Sequence, residues 1–195
     1  MTNKTPRRLV IGISGASGTI YGVRMLEMLK KTDIETHLVM SKSAEMTMVY
    51  ETKYKPKEVR ALASVNHPAA DIGASISSGS FQTIGMVVAP CSIKTAAAIA
   101  YSLNDNLLVR AADVCLKERR RLVLVVRETP LHLGHLRTLT QLAELGAIIL
   151  PPIPGFYSMP KTVDDIVNHT VGKALDALGV ANEAYARWRG PDGNP

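Results

Sequence analysis

Residues 8–31 read RLVIGISGASGTIYGVRMLEMLKK and set out the organisation of the fold. Residues 8–14 form a short apolar run rich in β-branched side chains, which predicts a buried strand. Residues 19–31 place apolar side chains near helical spacing and predict a helix. Between them, glycines 12, 15 and 18 predict a tight turn. A strand, a glycine-rich turn and a helix in this order indicate the start of a βαβ unit.

The same alternation continues along the chain. Strands are predicted at residues 35–41, 83–89, 122–126 and 147–150, and helices at residues 44–50, 93–101, 107–117, 133–145 and 163–178. Residues 53–68 are polar and contain prolines, and residues 75–80 (SISSGS) are small, so both predict loops. The sequence therefore predicts an α/β fold of three αβα layers, with a doubly wound, mostly parallel sheet covered on both faces.

Length and composition limit the class of protein. The chain has 195 residues, 46% of them hydrophobic, which predicts one sizeable core and a single domain over residues 1–195. Loose tails are expected at residues 1–7 and 190–195. No apolar run is long enough for a membrane span, and the two cysteines have no disulfide or zinc spacing. These features favour a cytoplasmic location.

The net charge of +6 is compatible with nucleic acid or with small anionic ligands. The only dense basic run, residues 117–121, is interrupted by Glu118, and no aromatic-rich binding module accompanies it. A solvated helix end or a subunit contact is therefore favoured over nucleic acid.

The glycine-rich turn has the spacing G-x-x-G-x-x-G, which differs from both the dinucleotide and the phosphate-loop patterns. Two interpretations remain open, a ligand cradle at a helix N-terminus and a tight structural turn. Ser41, Ser92 and Thr95 follow other predicted strands, where they could face a crevice at the carboxyl edge of the sheet or only cap helices.

Two charged residues end the strand at 122–126. Arg127 could grip a phosphate and Glu128 could transfer a proton, although a salt bridge between strand-end charges is the alternative. Cys91 is expected to be a buried small residue. His132 and His135 have a possible metal spacing, but no further ligands accompany them, so no metal site is predicted. His37, inside a strand, is expected to be structural.

Seven runs in unbroken order resemble the UbiX-type flavin prenyltransferase family. They are residues 12–22 (GISGASGTIYG), 39–42 (VMSK), 75–81 (SISSGSF), 90–95 (PCSIKT), 110–120 (RAADVCLKERR), 126–130 (VRETP) and 151–157 (PPIPGFY). The resemblance implies a flavodoxin-like, Rossmann-type fold that binds FMN, with active sites between subunits of a homo-oligomer, expected to be a dodecamer.

The resemblance also implies a reaction. Dimethylallyl phosphate would alkylate reduced FMN at N5, and ring closure at C6 would follow, without a metal. The prenylated FMN would then serve a UbiD-type decarboxylase as cofactor.

Roles can be carried over by position. The residues that resemble the family's FMN-binding set are Gly15, Ala16, Ser17, Ser41, Ser92, Ile93, Lys94, Thr95 and Arg127. The residues that resemble its dimethylallyl phosphate group are Lys117, Arg127, Tyr157 and Lys173. Ser17 and Glu128 resemble the proton-handling pair, and Glu51 resembles the carboxylate that steers the allylic cation.

Two positions depart from the family pattern. Many members have Arg in place of Lys173, and some have Trp in place of Ile72. Lysine lacks the bidentate fork of arginine, so a looser phosphate grip is expected. Two alternatives remain, an FMN-dependent cysteine decarboxylase of the same fold and a non-catalytic flavin carrier, although the His expected of the decarboxylase has no convincing match.

Overall fold

The computed structural model describes residues 6–190 and contains a six-stranded sheet in the order β3-β2-β1-β4-β5-β6. Each neighbouring pair is parallel, so the predicted α/β fold is confirmed. The strands are β1 Arg8–Ile13, β2 Glu35–Met40, β3 Val65–Pro68, β4 Gly85–Cys91, β5 Arg121–Val126 and β6 Ile148–Ile149. The helices are α1 Ile20–Leu29, α2 Lys42–Glu51, α3 Pro56–Arg60, α4 Ile93–Ala100, α5 Leu107–Lys117, α6 Leu133–Glu144 and α7 Val163–Ala177.

The sheet is buried on both faces because successive side chains of each strand point to opposite sides. In β1, Leu9 and Ile11 join a core with apolar residues of α1 and α7. Val10, on the other face, joins a second core with residues of α4 and α5. The near-continuous apolar runs of the strands follow from this double coverage.

The prediction of a loop over residues 53–68 is wrong, because the structure has α3 and β3 there. Pro56 starts α3, where a missing N–H costs nothing, and the Glu58 carboxylate accepts from the Lys55 backbone N–H at 2.9 Å. β3 is an edge strand that pairs only with β2, so Pro68 at its end is tolerated. Two of its four residues, Asn66 and His67, are polar, and only His67 is buried.

The order of the strands fixes where a ligand can bind. The chain moves outward from β1 to β2 and β3, then returns to β4 on the other side of β1. Crevices at the carboxyl edge of such a switch point are the usual ligand sites of doubly wound sheets. Among residues 6–190, no helix is long and apolar enough to cross a lipid bilayer. Residues 1–5 and 191–195 of the predicted tails lie outside the described residues.

Candidate active site

A cavity of about 580 Å³ lies at the carboxyl edge of the sheet, where β1, β2, β4 and β5 end. Its walls come from loops that are far apart in sequence and meet at the switch point between β1 and β4. The lining residues are Gly15, Ala16, Ser17, Ser41, Ser43, Ser92, Ile93, Lys94, Thr95, Asn106, Leu108, Arg127 and Glu128. The structure therefore brings together every residue that resembles the FMN-binding set, and it adds Glu128.

The glycine-rich turn forms one wall of this cavity. A Cβ atom at Gly15 would overlap the Oγ and Cβ atoms of Ser43, so no larger residue fits without moving the start of α2. Gly18 has φ +93°, a conformation that favours glycine. The Gly18 N–H donates to Oε2 of Glu51 at 2.8 Å, which places the end of α2 against the turn. The turn is therefore tight, and its residues Gly15, Ala16 and Ser17 also line the cavity.

The helices α2 and α4 begin at the cavity. Ser41 caps α2 by accepting from Ala44 N–H at 3.1 Å, and Ser92 caps α4 by accepting from Thr95 N–H at 3.2 Å. Each serine is thus both a helix cap and part of the cavity wall. Because the first N–H groups of a helix lack intrahelical partners, the two helix starts favour a negatively charged group in the cavity.

Ser14 joins the loop after β1 to the loop after β4, although sequence reasoning assigned it no role. It is 1% exposed; its Oγ donates to Pro90 O at 2.9 Å and accepts from Ser92 N–H at 2.7 Å. One hydroxyl thereby fixes the glycine turn relative to the start of α4.

Replacing Ser14 by alanine is expected to weaken both FMN binding and folding. The variant leaves Ser92 N–H without its partner, so the free energy of unfolding should fall by about 1–3 kcal/mol. Urea unfolding and quenching of FMN fluorescence measure the two effects. Thr140→Ala is the matched control, because the exposed Thr140 hydroxyl donates only to Leu136 O of its own helix. An FMN affinity equal to that of Thr140→Ala would contradict the role given to Ser14.

Arg127 and Glu128 lie side by side in the cavity wall at the end of β5. The Arg127 N–H donates to Cys91 O at 3.0 Å, which fixes the backbone from which both side chains extend. Within residues 6–190, neither side chain has an opposite charge within salt-bridge distance, so the strand-end salt bridge is not formed. Both charges remain available to a ligand.

A second group of polar side chains lies on α7 and the loop before it, where His169 lines a separate polar cavity. The hydroxyl of Tyr157 is 2.8 Å from Nε2 of His169, and Lys173 follows His169 by one helical turn. Tyr21 links this group to the cavity, since its phenol is close enough to Thr170 and Arg127 for both to lower its pKa. Burial is the larger effect and raises the pKa of Tyr21 overall.

Of the four predicted phosphate ligands, only Arg127 lines the cavity, whereas Tyr157, Lys173 and Lys117 do not. Lys117 lies on an element that reaches the cavity only at its other end. It ends α5, whereas Asn106 at the start of α5 lines the cavity, and a helix of this length spans about 16 Å. Lys117 instead pairs with Glu118 and lies beside Gly79 of the small-residue loop.

The cavity also contains residues that the sequence did not single out, namely Ser43, Asn106 and Leu108. Asn106 carried a local signal, because its side chain caps α5 by accepting from Val109 N–H at 3.1 Å. Ser43 and Leu108 carried none, and only the packing of α2 and α5 against the sheet places them here.

The cysteines and most histidines have structural roles. Burial raises the pKa of Cys91 to about 12, so its thiol is a poor nucleophile. His132 caps α6 through Nδ1, which accepts from Gly134 N–H at 3.0 Å. His37 is buried between Glu35 and His67. Over the described part of the chain, no group of three or more His, Cys, Asp or Glu side chains could hold a metal ion.

Helix starts and an arginine at the switch point of a doubly wound sheet are typical of proteins that bind phosphorylated, nucleotide-like molecules. The chain belongs to the Flavoprotein family, which matches residues 1–175, and within it to the flavin prenyltransferases of the UbiX type.

Individual relatives are similar over nearly their whole length. The flavin prenyltransferase UbiX of Escherichia coli (strain K12) is 61% identical over 187 residues, covering 94% of this chain and 99% of the relative. A crystal structure of AnUbiX in complex with FMN and dimethylallyl pyrophosphate has a TM-score of 0.94 and 48% identity, covering 95% of this chain and 99% of that one. A dodecameric FMN-dependent UbiX-like decarboxylase from Escherichia coli O157:H7 has a TM-score of 0.92 and 49% identity, covering 94% and 100%.

Proposed function

We propose that this chain is a flavin prenyltransferase, which transfers a dimethylallyl group from dimethylallyl phosphate to N5 and C6 of reduced FMN. The product, prenylated FMN, would serve a UbiD-type decarboxylase. The observation that carries the proposal is the cavity at the switch point. The residues that resemble the FMN-binding set line this cavity of about 580 Å³ together with Glu128.

The cavity fits FMN in shape and in chemistry. Gly15 lines the cavity and packs its backbone directly against Ser43, and Arg127 with the starts of α2 and α4 offers donors for a phosphate. When bound, reduced FMN supplies a nucleophilic N5 and a π face that can stabilise a cation.

The charged residues fit the loss of phosphate from the allylic donor. Breaking the allylic C–O bond increases the negative charge on the phosphate, so cationic and hydrogen-bonding groups stabilise the transition state. Arg127 in the cavity would supply one of these groups, and Lys173 on α7 and Tyr157 on the loop before α7 would supply the others. Lys173 is exposed and offers a single point charge instead of the arginine fork of many relatives.

Proton transfer is assigned to Ser17 and Glu128. Both line the cavity, and a carboxylate with no cationic partner can accept a proton from a bound flavin. Attraction of the allylic cation is assigned to Glu51, which accepts from the Gly18 N–H of the glycine turn.

Assembly of several chains is part of the proposal. Lys117 lies at the far end of α5 from the cavity of its own chain, so its proposed contact with phosphate requires the cavity of another subunit. Exposed apolar residues offer surfaces for such contacts, among them Met46, Val49, Tyr50, Phe156, Met159 and Val163. By analogy with the dodecameric relative we expect a dodecamer. A cytoplasmic location remains a prediction, and two buried free cysteines agree with it.

Release of inorganic phosphate tests the proposal. Under anaerobic conditions, the protein with reduced FMN and dimethylallyl phosphate should release phosphate only when both are present. A peptide with a C-terminal cysteine, mixed with oxidised FMN, is the parallel substrate for the decarboxylase alternative and should lose no CO2. Release of CO2 from the peptide, together with no phosphate release from the allylic donor, would overturn the proposal. Tight FMN binding with neither activity would favour the flavin carrier.

A further inference from the structure

The phenol of Tyr157 is held by one imidazole. Nε2 of His169 lies 2.8 Å from the Tyr157 hydroxyl, and the two rings meet edge to face with their centroids 5.6 Å apart. The approach depends on Gly155, where a Cβ would lie 3.0 Å from both rings. The glycine in the run PPIPGFY therefore makes room for this pair.

The C-terminal segment supports the imidazole from the other side. The ring of Tyr185 meets His169 edge to face at 4.8 Å, and it sits over Gly172, where a Cβ would overlap it. Asp176 fixes Tyr185 by accepting from its hydroxyl at 2.6 Å. His169 is thus held between two tyrosines and has little freedom to turn away.

The charge around His169 favours the neutral imidazole. Burial, and secondarily the ammonium of Lys173, lower the pKa of His169. His169 lines a polar cavity together with Lys161, Asp165 and Glu183, and the ion pair of Asp176 and Arg187 lies on the far side of Tyr185. A neutral imidazole carries one N–H, so Nε2 either donates to the Tyr157 hydroxyl or accepts from it. Only when Nε2 donates is the proton of the phenol free for another acceptor.

We propose that His169 is a positioning residue: by donating its Nε2–H to the Tyr157 hydroxyl, it directs the proton of that hydroxyl to the phosphate of the allylic donor. The inference rests on the proposed function. Two residues of α7 then act on the phosphate. Lys173 supplies positive charge, and His169, one turn earlier, orients the Tyr157 hydroxyl.

A double-mutant cycle between His169 and Tyr157 tests this. His169→Ala and Tyr157→Phe should each lower kcat/KM for dimethylallyl phosphate by about 10-fold, the effect of losing a hydrogen bond to a charged acceptor. The double variant should be no worse than either single variant, because His169 acts only through the hydroxyl. His169→Gln should recover most of the activity, since its amide N–H can also donate. FMN affinity should stay close to wild type throughout, and Tyr157→Phe, which keeps the ring, should also keep the wild-type Tm.

Multiplicative losses in the double variant, or a His169→Gln variant as impaired as His169→Ala, would overturn the inference. The wild-type protein separates this failure from that of the proposed function. If wild type alkylates FMN and the cycle is multiplicative, only the role of His169 is lost. If wild type alkylates no flavin, the proposed function is lost and the role of His169 with it.

Discussion

Replacing Glu128 by glutamine is expected to slow prenyl transfer by about 100- to 10,000-fold while FMN still binds. Glutamine keeps the size and the polar contacts of the side chain but cannot accept a proton. Glu128 lines the cavity beside Arg127 and has no salt-bridge partner within residues 6–190, so its carboxylate is free to act as a base. Single-turnover alkylation of reduced FMN, followed by the absorbance of the flavin, measures the rate.

Glu144→Gln is the matched control for this variant. Glu144 is exposed at the end of α6 and does not line the cavity. Its replacement by glutamine therefore removes the same charge from the chain and leaves the cavity unchanged. It should react at the wild-type rate. A Glu128→Gln variant that alkylates FMN within about threefold of the control would show that another group takes the proton.

Replacing Gly15 by alanine is expected to weaken FMN binding by about 10- to 100-fold, the size of effect that overpacking produces. The new Cβ would overlap Cβ of Ser43, which is attached directly to the backbone of α2 and cannot turn aside as a flexible side chain could. Either the turn or the start of α2 must therefore move, and both line the cavity. Titration of FMN by calorimetry measures the loss.

Gly73→Ala controls for the general effect of replacing a loop glycine. A Cβ at Gly73 meets only an oxygen of Asp71 at 3.5 Å, an ordinary contact distance. This variant should bind FMN as wild type does. Equal FMN affinities for Gly15→Ala and wild type would mean that the flavin does not approach the glycine turn.

The sequence predicted most of the sheet because its long apolar strands are buried on both faces and leave a clear pattern. β3 left none, since its polar residues lie at the edge and Pro68 suggests a loop. If β3 were a loop, the remaining five strands would have the order found in flavodoxin. With β3 in the sheet, the six strands have the order of the Rossmann fold.

The candidate site was predictable to a similar degree. Residues that follow strands, such as Ser41, Ser92 and Arg127, meet at the carboxyl edge because parallel strands end there together. The contact between Tyr157 and His169 joins a loop to a helix face, and no local pattern marks it. Lys117 could not be assigned to the cavity, because α5 holds it away from the cavity of its own chain.

The mass of the flavin extracted after anaerobic incubation with reduced FMN and dimethylallyl phosphate tests whether this chain alkylates its flavin. A gain equal to one prenyl unit, present with wild type and absent with Glu128→Gln, is the predicted result. Unmodified FMN, recovered from protein that binds it tightly and tested with both the phosphate and the diphosphate donor, would contradict the assignment as a flavin prenyltransferase.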